Sequence, residues 1–407
     1  MELAKLLVVL ALIVFALRKK VSVGMTLFVA GLLGALLYQI PIQSLLDGYW
    51  ELIKSERFIS LTAVIILITT LGSILAELGF LHRLAEACRL LPGGNRTAVA
   101  ILPFLIGLMP MPGGALLSAP LVGNVLNEPR YSPEFKTVTN YWFRHMVEFF
   151  WPVYPGIILT EAITGMPMLQ VAIMQLPMTI MMAILGAIFF SRKIEIGPAG
   201  QVDTRAAFVG IVSSLWPIAG AIAVYAIFKV NMVWAVLAGM LALILYTRPT
   251  KAQLWPSIKH GLSYKLVFMV FGILSFQTVL ELSGAINQIT FLAQQYNFPP
   301  EVLIFLVLFS IGLLTGMVAA YVGMGYALLA GFLYTPTLNP GNIQLAYLAG
   351  YIGMLLAPTH LCLVLTNEYF KSNLMSVYRL LIVPLILLGI FGYLLSRSFW
   401  PDLFMIN

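Results

Sequence analysis

The feature that most constrains this chain is the number of long apolar runs it carries. Ten segments, at about 4–17, 22–40, 58–80, 137–160, 167–191, 206–228, 230–247, 266–284, 343–366 and 379–397, approach or exceed the length a helix needs to cross a bilayer. Lipid offers no partners for free backbone groups, so such runs are expected to satisfy their own as helices. Composition agrees, with 60% of the 407 residues hydrophobic and 10% charged, where an ordinary soluble domain has about 25% charged. A soluble enzyme, a nucleic-acid-binding domain and a disordered chain are excluded on that ground. The expected fold class is an all-α polytopic membrane protein. Leu6–Leu17 ends on Arg18-Lys19-Lys20 and not on a small-residue cleavage site, so it reads as a retained first span. Cys88 and Cys362 are far apart and imply neither a disulfide framework nor a metal cluster. No His/Cys/Glu grouping has zinc-ligand spacing, and no catalytic or phosphate-binding motif occurs, so neither a metal nor a cofactor is expected.

Two further apolar stretches, 97–126 and 301–334, are broken in the middle. Met109-Pro110-Met111-Pro112-Gly113-Gly114 interrupts the first; Thr315-Gly316 and Gly323-Met324-Gly325 interrupt the second. Their arms are too short to span comfortably, so each reads as a re-entrant hairpin. Starting outside, this topology puts 17 Lys and Arg on the cytoplasmic side and five outside, with Arg144 alone within a span. That asymmetry is the one expected of a cytoplasmic-membrane protein, and both termini then face outward. Segments 41–56 and 248–262, carrying Trp50 and Trp255, read as interfacial helices.

Shifting the sequence by 205 residues places Gly34 on Gly239, Trp50 on Trp255, Lys54 on Lys259 and Ile106-Gly107-Leu108 on Ile311-Gly312-Leu313. One residue more places Pro152 on Pro358 and Leu159-Thr160 on Leu365-Thr366. The chain therefore reads as two repeats, 1–195 and 206–400, joined by a cytoplasmic linker at 196–205. Each holds five spans, one hairpin and a broken helix, and five is odd, so the second copy is inverted.

Four breaks mark the expected binding site: the hairpin tips, Trp151–Gly156, and Ala357–His360. Proline frees carbonyls, glycine permits close approach, and half-helix ends carry partial charge. The candidate residues are Pro110, Pro112, Gly113, Gly114, Ser118 and Asn124 at the first hairpin, and Thr315, Gly316, Tyr321, Gly323 and Gly325 at the second. Tyr154, Thr160, Thr359, His360 and Thr366 flank the proline breaks, and Tyr326 lies beside the second hairpin's glycines. Arg144 and Glu148, four apart just before the first break, share a helical face and are able to pair. A charge in the bilayer is costly, so Arg144 either snorkels or binds substrate, and Glu148 is either a proton site or half of a structural pair.

These two inverted halves, each with a hairpin tip followed by a Pro-broken span, resemble the ion transporter superfamily, which includes citrate, gluconate, lactate and dicarboxylate carriers. More narrowly, the chain resembles an uncharacterised prokaryotic membrane family placed there. The resemblance implies a homodimeric elevator-type carrier, with Na⁺ or H⁺ bound near the tips. The Ser-Asn-Thr tip motifs of the dicarboxylate members are absent, and Glu148 offers H⁺ as the coupling ion. The expectation is a secondary active transporter of a small anionic organic solute, with the bilayer as its other partner and no nucleic acid. A channel or passive exporter, and an intramembrane enzyme acting on a lipid-linked substrate, are the alternatives.

Overall fold

A computed structural model describes residues 2–19, 21–92, 94–109, 114–196, 202–334 and 336–398. Among these, every regular element is a helix. Among the described residues five helices are long and apolar enough to cross a membrane, including Glu56–Glu77, Thr204–Phe228 and Leu374–Arg397. Phe208, Val209 and Val212 on one of them, and Ile382, Ile386 and Ile390 on another, are exposed. Faces of that kind suit lipid and are costly in water. The architecture fits a polytopic membrane protein.

Two of the ten expected spans are shorter than anticipated: Val23–Leu37 and Met232–Thr247 have 15 and 16 residues, or about 22–24 Å at 1.5 Å per residue. Two helices arise where loop was expected, Phe80–Arg89 and Ala285–Gln295. Phe80, Leu81, Leu84, Ala85 and Cys88 of the first are buried while His82, Arg83 and Glu86 are exposed. Its low mean hydropathy hides it from a search for spans, although its period is helical. The segments expected at the interface form helices Ile42–Lys54 and Lys251–Gly261. Ile42, Leu46, Trp50 and Ile53 stand exposed along one face of the former, and Lys54 lies over the Trp50 ring at 4.3 Å.

Four packed segments position the site. The first hairpin region consists of Gly94–Gly107 and Ala115–Val125; its tip, with Pro110, Pro112 and Gly113, lies outside the described residues. In the second, Pro300–Thr315 ends at Gly316, whose φ of +64° is readily adopted only without a Cβ. A short helix then passes through a π turn at Tyr321–Gly325. Pro133–His145 tightens into a 3₁₀ turn at Met146–Phe149, stops, and restarts as Pro155–Thr164 with proline in its first turn. Pro340–Leu355 likewise stops before Pro358, and Leu361–Phe370 continues after it.

Glycines set how closely these segments approach. A Cβ on Gly107 would stand 2.5 Å from the Arg144 carbonyl oxygen, and one on Gly312 would collide with the Gly350 carbonyl oxygen. Val23–Leu37 crosses Tyr264–Ser283 with equal intimacy at Gly24 and Gly272.

Candidate functional site

The two interrupted helices, one from each half of the chain, meet at their breaks. Each break exposes carbonyls that lipid cannot satisfy, and buried side chains answer most directly. Tyr141 donates to the Leu355 carbonyl at 3.2 Å, Tyr347 to the Glu148 carbonyl at 2.7 Å, and Tyr351 to the His145 carbonyl at 2.7 Å. Trp151 Nε1 donates to the Leu108 carbonyl at 2.9 Å, and Tyr154 donates to that of Gly107. Gly156 faces the Tyr347 hydroxyl with no room for a Cβ. These tyrosines brace the broken backbone.

Inside that brace sits a polar cluster. His145 is fully buried and His360 is 8% exposed. Their Nε2 atoms are 3.0 Å apart, with ring centroids at 5.1 Å. His145 Nδ1 lies 2.6 Å from the Tyr141 carbonyl and His360 Nδ1 lies 2.7 Å from that of Gly316. A carbonyl only accepts, so both Nδ1 atoms carry hydrogen and both Nε2 atoms point their lone pairs at each other in the neutral rings. Cys362, at the start of the restarted helix, completes a group of three ligand-type atoms within 4.8 Å of one another.

Arg144 does not snorkel. It is 2% exposed, and its guanidinium lies against Gly114, the described end of the first hairpin tip. Nη1 is 3.7 Å from Cys362 Sγ, and Nε has no hydrogen-bond partner among the described residues. The expected Arg144–Glu148 pairing is not found within 4 Å among the described residues; Glu148 Oε1 instead faces His145 Nε2 at 3.8 Å. The 3₁₀ turn is the reason. At three residues per turn, positions i and i+3 eclipse, whereas i and i+4 no longer share a face. Glu148 Oε2 is buried without a hydrogen-bond partner among the described residues.

Other expected residues lie around or away from this centre. Gly316 supplies the carbonyl for His360, and exposed Thr359 sits beside it. Ser118 is buried near the Gly114 and Ala115 carbonyls, at 3.5 and 3.4 Å. Thr160, Thr315 and Thr366 donate to the carbonyls four residues back, as helix hydroxyls commonly do. Thr366 also accepts from Asn140 at 3.4 Å, joining the two broken helices. Tyr321 packs edge-on against Tyr347, and Tyr326 donates to the Ile343 carbonyl. Gly323 and Gly325 serve packing against Ile273 and Leu308, and Asn124 is exposed toward the end of its arm.

Sequence reasoning left His145, Tyr141, Tyr347 and Tyr351 out of the candidate site and read Cys362 as no part of a metal cluster. The available signal was their position, four to eleven residues from the Pro152 or Pro358 break.

Residues 2–397 match the family described as "Protein of unknown function (DUF401)", and the chain belongs to that family. No curated protein matches it.

Proposed function

We propose that this DUF401 member is a secondary active transporter that moves a small anionic organic solute across the cytoplasmic membrane. Transport is coupled to H⁺ or Na⁺ and proceeds by elevator-like alternating access between two inverted repeats, in a homodimer similar to carriers of the ion transporter superfamily. The observation that carries this reading is the buried Arg144 guanidinium, held where the two broken helices cross and against Gly114. A guanidinium with donors to spare suits a carboxylate, which it grips through paired hydrogen bonds.

The element order supports the repeat. Each half runs through two apolar helices, an amphipathic helix, a long helix, a short helix, a hairpin region, an interrupted helix and a long last helix. Equivalent contacts also recur, since Gly107 against Arg144 corresponds to Gly312 against Gly350 under the repeat alignment. Val23–Leu37 packs on Tyr264–Ser283, and reciprocally Met232–Thr247 packs on Glu56–Glu77.

Uptake by proteoliposomes tests the reading, using mono-, di- and tricarboxylates under imposed pH or Na⁺ gradients. The expected result is gradient-driven accumulation of at least one anion. Uptake should fall at least tenfold in Arg144→Gln protein that still elutes as a single species, and by less in Arg144→Lys. Flux of no anion, or flux indifferent to every gradient, sinks the proposal; the second outcome favours a channel.

A further inference from the structure

The His145–His360 contact poses a question of atom inventory. Each Nδ1–H is committed to a carbonyl, at 2.6 and 2.7 Å. Two bare Nε2 lone pairs are then left 3.0 Å apart in a site almost wholly removed from solvent. Two acceptors do not hold each other at that distance without a positive centre between them. A shared proton joins two atoms only. Here a third donor, Cys362 Sγ, converges within 4.8 Å of a ring nitrogen of each histidine, and the Glu148 carboxylate stands 3.8 Å from His145 Nε2 with its other oxygen unpartnered among the described residues.

We propose that His145, His360 and Cys362 bind one borderline-soft transition-metal ion of the Zn²⁺ class, with Glu148 beside the fourth position. The chemistry of the donors selects the ion. Two imidazoles and a thiolate suit Zn²⁺ and its neighbours, whereas Na⁺, Mg²⁺ and Ca²⁺ take oxygen. Two nitrogens on a tetrahedral Zn²⁺, each about 2.05 Å from it, stand about 3.3 Å apart, so the rings need to part by only a few tenths of an ångström. The Nδ1–H to carbonyl bonds are the kind that fix tautomer and ring orientation around a bound metal. Arg144, 3.7 Å from Cys362 Sγ, supplies positive charge that favours the thiolate a metal requires. On binding, the thiol releases its proton to water and the S–metal bond replaces S–H; both imidazoles bind through Nε2 and keep their Nδ1 hydrogens. Because His145 comes from one half and His360 and Cys362 from the other, the ion pins the two breaks together. This inference does not rest on transport.

Metal analysis of purified, detergent-solubilised protein after equilibration with Zn²⁺ and gel filtration provides the test, with Co²⁺ as the spectroscopic probe. The expected result is one Zn²⁺ per chain, and a thiolate-to-cobalt charge-transfer band in the near ultraviolet. Affinity should fall at least tenfold in His145→Gln, His360→Gln and Cys362→Ser. The band should vanish in Cys362→Ser and persist in Cys88→Ser, which alters the other cysteine. The wild-type Co²⁺ spectrum needs no variant to fold, and absence of the band overturns the proposal. Binding well below one per chain, as a proton-sharing pair gives, or binding indifferent to the three substitutions, overturns it too.

Discussion

At Gly316 one residue controls two features of the site. Its φ of +64° closes the Pro300–Thr315 helix, and its carbonyl holds His360 Nδ1. A Cβ there would stand 2.8 Å from the His360 nitrogen and 2.9 Å from its Cα, both backbone atoms with no rotamer to yield. Gly316→Ala is therefore expected to cost about 1–3 kcal/mol from the left-handed backbone and the collision together. It should appear as a lowered melting temperature of the detergent-solubilised protein. Thr359→Ala, beside it but exposed, is the contrast and should shift stability by less than about 0.5 kcal/mol. Equal melting temperatures for the two variants would show that the tip is not held as described. Arg144 carries the other lesson at this scale. A span position and a partner four residues on are insufficient to pair charges when the helix changes pitch between them.

Elements are joined across the two halves at the crossing and again at one end of the broken helices. Glu134, in the first turn of Pro133–His145, accepts from the Asn373 backbone N–H at 3.0 Å, just before Leu374–Ser398 begins. That bond holds the Glu134 carboxyl below the usual carboxylate range. A depressed folded pKa stabilises above the unfolded value, about 4.3 for Glu, and the contribution is lost as pH falls through the folded value. Glu134→Gln should therefore melt below wild type at pH 7, by well under about 1 kcal/mol because the group is partly exposed. The gap should close as pH drops below about 4. A gap independent of pH would remove the carboxylate from the account. Thr137 and Ser372, whose hydroxyls lie 2.8 Å apart, join the same two regions without charge.

For the whole molecule, the proposed inverted repeat makes a prediction about sides. Lys229 follows the first long helix of the second half, while Arg192 and Lys251 flank the linker and the second interfacial helix. Cysteines introduced at these exposed positions should react differently with a membrane-impermeant maleimide in intact cells. Lys229→Cys should label from outside, and Arg192→Cys and Lys251→Cys only after the membrane is opened. Labelling of all three from one side would refute the inverted arrangement.

The sequence by itself determined that this chain is all-helical, where most helices lie and where they break. Those properties follow from apolar length, proline and glycine, which act on neighbours a few residues away. Pro152 and Pro358 marked both interruptions, and Gly316 ended its helix as its position suggested. Only the tertiary structure decided which side chains meet. His145 and His360 are 215 residues apart, and no spacing rule connects them. Their contact depends on two breaks crossing at one depth, on glycines that let the helices close to backbone distance, and on a 3₁₀ turn that moves Glu148 from Arg144 to His145. Propensity is local, whereas a site assembled from two halves is fixed by how their helices pack.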